Sequence, residues 1–300
     1  MFVYDIDPLK TFLKSVIRNN VTPEAWSWLE KEALSIKNNK DISRFYIAFV
    51  AMPRKTGKGV VLLSEAGEIE LQSLRSGTRI TGWSIDRVSR VWLILHLDPG
   101  DKEKYRGVIE NLFLNAEMSE QVALYSALPL LAYQESWRKR CAEGIRSNIG
   151  QVLESIICNN PYPAEQLDEA AWNQLVLKAI FTEKPVLKIS DLHKRMNQNL
   201  ANSLSDYAHE RWAAHRTLNP LLWICVSSFI NESIFPDIQR VFFSENSQEQ
   251  EAAALTCYES GYGPAKQLLE QKKELKNSIE KGEISWGSIA RRVEDGGSRQ

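Results

Sequence analysis

The chain has 300 residues and a formal net charge of −1, because 37 basic residues are balanced by 38 acidic ones. This balance argues against a nucleic-acid-binding protein, since such proteins carry a basic surplus that neutralises phosphates. Hydrophobic residues make up 43% and charged residues 25% of the chain, which are the proportions of a globular protein. No stretch approaches the ~18 apolar residues of a membrane-spanning helix, and the first residues lack the basic front of a signal peptide. We therefore expect a cytoplasmic protein that is not an integral membrane protein.

Helix signals dominate the chain from its beginning. Thr22-Pro23-Glu24 reads as an N-cap with proline at the first helical position, and it opens a helix that includes Trp26 and Ile36. The segment Gly59–Leu63 is the one strand candidate, and we interpret it as an extended lead-in to a helix. Hydrophobic periodicity and turn signals predict further helices over 42–51 (stopped by Pro53), 65–75, 85–97, 103–114, 119–128, 135–158, 170–182, 196–217, 220–230, 234–243, 248–259 and 264–281.

Helices of about 10–20 residues joined by short links predict antiparallel neighbours stacked in layers. The predicted fold is therefore all-α, an irregular antiparallel helical array of the α-solenoid or HEAT-like type, with no repeating sequence period. No low-complexity linker divides the chain. We expect a single helical domain over residues 1–294 and a disordered tail over 295–300.

Two sequence patterns resemble functional motifs but lack their chemistry. The basic run 54–58 ends in Gly57-Lys58, but Met52 and Gly59 occupy the positions where a phosphate-binding loop needs Gly and Ser or Thr. His209 and His215 are six residues apart, whereas a zinc-binding helix needs two histidines four apart. The four cysteines have no metal-binding spacing and predict free thiols in a reducing compartment. We expect no metal and no cofactor.

The predicted helix 196–217 carries a charge on its apolar side. On a helical wheel Arg211 falls near the middle of the hydrophobic stripe and His215 lies about 40° from it, while His209 points toward solvent. A buried charge needs a partner. Two interpretations remain open, a structural salt bridge between helices or an arginine that lines a pocket for an anion.

Polar side chains interrupt two other apolar helices. Asn148 flanks the stripe of helix 135–158, and Asn173 lies between apolar residues of helix 170–182, which also carries Lys178. Buried amides must find partners, so these residues either bridge helices and cap a turn or orient a ligand. Asp86 and Arg90 have the spacing of a helical ion pair, and we interpret them as part of a solvated face.

Several segments in a fixed order resemble the EboA-domain proteins, over about residues 45–270. The segments are Pro53-Arg54-Lys55 with Gly57-Lys58, Gly82-Trp83-Ser84 with Asp86 and Arg90, Leu124-Tyr125 with Leu128-Pro129, Glu143–Arg146 with Asn148, Asn160–Pro163, Trp172-Asn173-Gln174 with Leu177-Lys178, and Asp206–Trp212. The resemblance implies a role in the Ebo gene cluster, which serves the synthesis or export of a secondary metabolite. It also implies partners among the other Ebo-cluster proteins, including a membrane prenyltransferase.

These observations predict an accessory protein of a metabolite pathway, either a helical scaffold or a small-molecule-binding protein. Its candidate ligand-binding residues are Asn148, Asn173, Lys178, Arg211 and His215, with Tyr125 and Arg146 nearby. One alternative is an enzyme in which His215 is a general base and Arg211 stabilises negative charge. Another is a peripheral membrane helper that binds anionic vesicles in a salt-sensitive way.

Overall fold

The computed structural model describes residues 1–39 and 42–297. In this part of the chain 72% of the residues are helical and no strand is present, which confirms the all-α prediction. None of the helices described is both long enough and apolar enough to cross a membrane. The chain forms two compact units, Met1–Asp168 and Glu169–Gln300, each of which is described by itself.

The described residues of the first unit form ten α-helices and two short 3₁₀ turns. The α-helices are α1 (Ile6–Asn20), α2 (Pro23–Asn39), α3 (Ile42–Thr56), α4 (Glu65–Leu74), α5 (Ile85–Ile94), α6 (Lys102–Asn115), α7 (Met118–Ala127), α8 (Arg138–Ile145), α9 (Gly150–Ile157) and α10 (Tyr162–Gln166). Local capping fixes several of their starts, because the side chains of Asp5, Ser64 and Asp101 accept hydrogen bonds from backbone N–H groups of the first turn.

The second unit contains eight α-helices among the described residues. They are α11 (Glu169–Phe181), α12 (Leu192–Arg195), α13 (Gln198–Ala213), α14 (Phe235–Phe242), α15 (Ser247–Glu259), α16 (Gly263–Leu269), α17 (Lys273–Glu280) and α18 (Trp286–Gly297). The predicted helix 220–230 is instead a pair of 3₁₀ segments, Pro220–Cys225 and Ser227–Phe229. The predicted helix 264–281 is divided between α16 and α17 by the 3₁₀ turn Glu270–Lys272.

One helix lies at the centre of each unit. In the first unit α5 packs against α1, α3 and α7, and nine of its ten residues are buried. In the second unit α15 packs against α14, α16, α17 and α18, and six consecutive residues from Ala252 to Cys257 are buried. Because neighbours surround both helices, some of their polar residues, including Asp86, Arg90 and Thr256, are buried as well.

Two helix boundaries differ from the sequence prediction for identifiable reasons. Helix α3 continues past Pro53 to Thr56, because the proline stands in the last turn, where the lost N–H leaves a single carbonyl, that of Phe49, without its helical donor. The predicted helix 135–158 is interrupted after Ile145, where the hydroxyl of Ser147 accepts a hydrogen bond from the N–H of Ile149 and turns the chain.

The segment Gly59–Leu63 is extended, and its one β-type contact is an isolated bridge between Val60 and Ser84. Residues 295–297 of the predicted tail belong to α18, and residues 298–300 lie outside the described residues. The HEAT-like arrangement and the single domain remain predictions.

Candidate functional site

A groove of about 720 Å³ opens on the first unit between α1, α2 and the C-terminal end of α5. Helix α1 turns its apolar residues Leu9, Leu13 and Ile17 into the core, so that its other face borders the groove. We call this cavity the α1–α5 groove, and its lining includes Lys10, Thr11, Lys14, Leu34, Trp92, Leu95 and His96.

Trp92 forms a rigid part of the groove wall. Its side chain is only 3% exposed, and its indole N–H donates to the carbonyl of Lys10 at 3.0 Å, which fixes α5 against α1. The ring of His96 packs edge-on against the indole, with centroids 4.3 Å apart, and Nδ1 of His96 lies 2.9 Å from the carbonyl of Trp92. Since a carbonyl only accepts, Nδ1 of His96 donates in this contact.

Charged residues surround this aromatic wall. The ammonium of Lys10 lies 2.8 Å from Asp7, and that of Lys14 lies 2.9 Å from Glu30. Ion pairs as exposed as these contribute only about 0.2–1 kcal/mol, so a ligand can replace either carboxylate at small cost. The groove therefore combines an apolar surface with cations that can exchange their partners.

A smaller cavity of about 180 Å³ shares Leu97 and Asp98 with the groove. Its apolar lining comes from Ile36, Tyr105 and Val108, among others. The segment that follows α5 therefore borders two cavities. This arrangement was invisible in the sequence, because the lining residues come from helices that are distant along the chain and share no local motif.

Arg90 forms the centre of a buried charge cluster, which contradicts the prediction that Asp86 and Arg90 are solvated. Arg90 is 1% exposed, its Nη1 lies 2.6 Å from Asp86, and its Nη2 lies 3.8 Å from Glu120 of α7. Its Nε donates at 2.9 Å to the carbonyl of Phe49, the group that Pro53 leaves without a helical donor. Burial lowers the pKa of the guanidinium, and the carboxylates of Asp86 and Glu120 oppose that shift.

A second arginine of α5 adjoins this cluster. Arg87 lies 3.9 Å from the centroid of the Trp83 ring and donates from Nε to the hydroxyl of Ser126 at 2.8 Å. Burial lowers the pKa of Arg87 to about 9, against the opposing effect of Asp86. Both arginines therefore fix α5 in the core of the first unit, and neither lines the α1–α5 groove.

Three of the predicted ligand-binding residues lie in the first unit. Tyr125 is buried against the ring of Phe113, with centroids 5.1 Å apart, and burial raises its pKa to about 12. Arg146 and Asn148 are exposed and follow α8 in the interruption of the predicted helix 135–158. The helical-wheel position of Asn148 is therefore wrong. One buried amide that sequence reasoning missed is Asn160, which donates to the carbonyls of Tyr125 and Ser155.

The other four predicted residues lie in the second unit. Asn173 exchanges hydrogen bonds of 3.2 and 2.8 Å with Asn197, which is the N-cap of α13, so it bridges two helices. Lys178 is half-buried on α11. Because α13 ends at Ala213, His215 lies beyond it, exposed and with φ of 52°, instead of on the predicted stripe. Arg211 is half-buried and donates from Nε and Nη2 to the carbonyl of Thr217.

His209 has a carboxylate partner that the wheel did not reveal. Its Nε2 lies 2.6 Å from Oδ1 of the buried Asp237, whose other oxygen accepts a hydrogen bond from Ser205. A carboxylate at this position orients the imidazole, as the acid does in a catalytic triad. The imidazole side chain is nevertheless 56% exposed, so the contact joins α13 to α14 at the surface.

The model of the EboA family, described as metabolite traffic protein EboA, matches residues 9–227 of this chain. This chain belongs to the EboA family. The match confirms the family resemblance seen in the sequence, but its bounds differ: it begins earlier, inside α1, and it ends at residue 227, short of the expected residue 270. Comparisons with curated proteins and with solved structures found no match.

The EboA match includes most of the α1–α5 groove. Lys10, Lys14, Trp92 and His96 all lie between residues 9 and 227, as does the buried cluster around Arg90. The match also crosses from the first unit into the second and ends just after the 3₁₀ segment Pro220–Cys225. The groove is therefore formed mainly by the part of the chain that defines the family.

Proposed function

We propose that this EboA-family protein binds a small amphiphilic metabolite in the α1–α5 groove and passes it to partner proteins. The groove itself carries the proposal. Its volume of about 720 Å³ falls within the range of small-molecule sites, roughly 300–1,000 Å³. The family description, metabolite traffic protein, agrees with a site that holds a molecule without a dedicated catalytic group.

The lining indicates the chemistry of the ligand. An apolar body would lie against Leu34 and Phe2, which line the groove and are not buried, while the buried side chains of Trp92 and Leu95 form a fixed wall behind them. A carboxylate, phosphate or hydroxyl group of the ligand would accept hydrogen bonds from the ammonium groups of Lys10 and Lys14.

The wider role remains that of an accessory protein in the cytosol, in a pathway of secondary-metabolite synthesis or export. Its partners would be other Ebo-cluster proteins, a membrane prenyltransferase among them. The polar residues Asn148, Asn173, Lys178, Arg211 and His215 stay a separate prediction. An anion at Arg211 would have to bind the Nη1 side of the guanidinium, because Nε and Nη2 donate to the carbonyl of Thr217.

The proposal can be tested by filling the groove. Thr11 is exposed on α1 and lines the groove, whereas Asn19 is exposed on the same helix beyond it. The probe is 8-anilinonaphthalene-1-sulfonate, an aromatic anion that resembles the expected ligand class, with its emission measured under direct excitation. Thr11→Trp should weaken binding of the probe at least about tenfold, and Asn19→Trp should leave it unchanged.

Native mass spectrometry of the protein purified from cells that express its partner genes supplies the second measurement. A small molecule retained by the wild type and by Asn19→Trp, but absent from Thr11→Trp, would support the proposal. Equal retention by all of them, together with equal probe binding, would show that the ligand lies elsewhere.

A further inference from the structure

Helix α3 exposes apolar side chains on the face opposite to the core. Phe45, Phe49 and Met52 point inward and are fully buried. Ile47 and Val50 are 69% and 54% exposed, and both lie on the outer face. Arg54 follows them on the same face, since positions i, i+3 and i+7 of a helix share one side. The helix is therefore apolar on both sides, which burial in the first unit does not explain.

The extended segment after α3 presents two more apolar residues. Val60 and Leu62 are exposed, whereas Val61 between them is buried, so the two exposed side chains point the same way. The backbone here is held in place, because Val61 donates to the carbonyl of Trp83 and accepts from the N–H of Gly82. These apolar side chains are therefore displayed on a fixed backbone.

Along the chain, basic residues lie between the two apolar pairs. Arg54, Lys55 and Lys58 are all exposed, and Lys55 also lies 5.8 Å from the ring centroid of Trp28. The sequence from residue 42 to residue 64 contains no Asp or Glu, and acidic residues resume at Glu65. We call the side chains of Ile47, Val50, Arg54, Lys55, Lys58, Val60 and Leu62 the 47–62 surface.

The 47–62 surface concentrates exposed apolar area in a short stretch of chain. It holds four of the fifteen large hydrophobic side chains that are exposed among the described residues. Apolar side chains clustered with cations have the composition of a surface that inserts into the headgroup region of a membrane. Long Lys and Arg side chains then reach the lipid phosphates while the aliphatic groups enter the acyl boundary.

We propose that the 47–62 surface docks this protein on an anionic phospholipid bilayer. Its composition favours lipid over a protein partner, because protein interfaces are enriched in aromatic residues and depleted in lysine. The exposed apolar residues here are all aliphatic, and two of the three cations are lysines. The inference goes beyond metabolite binding, because the 47–62 surface shares no residue with the α1–α5 groove.

Vesicle co-sedimentation of the full chain tests the proposal. The wild type should bind vesicles that contain phosphatidylglycerol, bind pure phosphatidylcholine vesicles weakly, and be released near 1 M salt, where the Debye length falls to about 3 Å. The triple variant Arg54→Gln, Lys55→Gln, Lys58→Gln should partition roughly a hundredfold less, given the contribution of each cation near an anionic surface. A matched triple variant, Arg138→Gln, Lys139→Gln, Lys281→Gln, has the same net charge and should bind as the wild type does.

A separate variant tests whether the apolar side chains of the 47–62 surface contribute to vesicle binding. Ile47→Ser with Leu62→Ser should reduce vesicle binding at least about tenfold while all the cations remain, since insertion depends on buried apolar area. Equal loss in the two triple variants, or no effect of the serine variant, would overturn the proposal. A change of oligomeric state in the serine variant without any vesicle binding by the wild type would instead identify a second copy of this chain as the occupant.

A negative result for membrane docking can be distinguished from a negative result for ligand binding in the α1–α5 groove. Binding of 8-anilinonaphthalene-1-sulfonate to the glutamine and serine variants should retain its sensitivity to Thr11→Trp, whatever the vesicles show.

Discussion

The central helices of the two units bury different kinds of residue. Helix α15 of the second unit buries Ala252, Ala253 and Ala254 together with Thr256, whose hydroxyl donates to the carbonyl of Ala252 at 2.7 Å. Helix α5 of the first unit is surrounded just as completely, yet it buries Asp86 and Arg90. Small residues let neighbouring helices approach closely, whereas a buried ion pair must repay a desolvation cost of several kcal/mol per charge.

The charges of α5 therefore need a structural reason, and the chain offers one. Pro53 removes the N–H that would have bonded the carbonyl of Phe49, and Arg90 supplies a donor to that carbonyl from another helix. The second guanidinium edge faces Asp86 and Glu120, so the charge is balanced where it is buried. In α5 a buried charge thus replaces the hydrogen bond that Pro53 has removed from the neighbouring helix α3.

Arg90→Met should break this arrangement and give the largest effect. It leaves the carboxylates of Asp86 and Glu120 buried without a cation, which costs about 3–5 kcal/mol of unfolding free energy. The equivalent change at the centre of the second unit, Thr256→Val, removes one hydroxyl and should cost only about 0.5–1.5 kcal/mol. Urea unfolding of the two variants measures the difference. Similar losses in both would mean that the cluster is not what stabilises α5.

Gly144→Ala should give the next largest effect, by testing close packing in the first unit. A Cβ at this position would lie 2.4 Å from Cδ1 of Ile156 and 2.5 Å from Cε1 of Tyr125, so the helices would have to move. We expect a loss of about 1–3 kcal/mol. Gly107→Ala is the matched control, because Gly107 lies inside α6 with nothing within 4 Å of an added Cβ. It should stabilise the protein by about 0.5–1 kcal/mol in the same unfolding experiment, because alanine favours helix.

The sequence predicted most of the helices because their apolar periodicity and caps are local. It missed the burial of Arg90, because an Asp–Arg pair with i, i+4 spacing looks the same on a solvated helix. What distinguishes α5 is its packing against α3 and α7, and the partners Phe49 and Glu120 are far from Arg90 along the chain. Burial that depends on packing against distant segments cannot be inferred from the sequence of α5 alone.

The candidate site was less predictable than the fold. The wheel position of His215 depended on a helix that continues to residue 217, whereas α13 ends at Ala213 without a glycine to mark the end. His209 is exposed as expected, but its contact with Asp237 could not be foreseen because that partner belongs to another helix. The α1–α5 groove depends on how α1, α2 and α5 pack, so neither its volume nor its lining could be inferred from spacing.

Pro53→Ala should have the smallest effect on unfolding free energy, and it tests directly why α5 carries a buried charge. Pro53→Ala restores an N–H that can donate to the carbonyl of Phe49, but Arg90 already occupies that carbonyl, so the change in unfolding free energy should stay within about 0.5 kcal/mol. In the Arg90→Met background the carbonyl has lost its donor, and the same substitution should recover about 0.5–1.5 kcal/mol. The double-mutant cycle therefore predicts a coupling of about 1 kcal/mol between two residues on different helices. A coupling near zero would show that Arg90 is retained for its carboxylate partners alone and that the break made by Pro53 is satisfied in some other way.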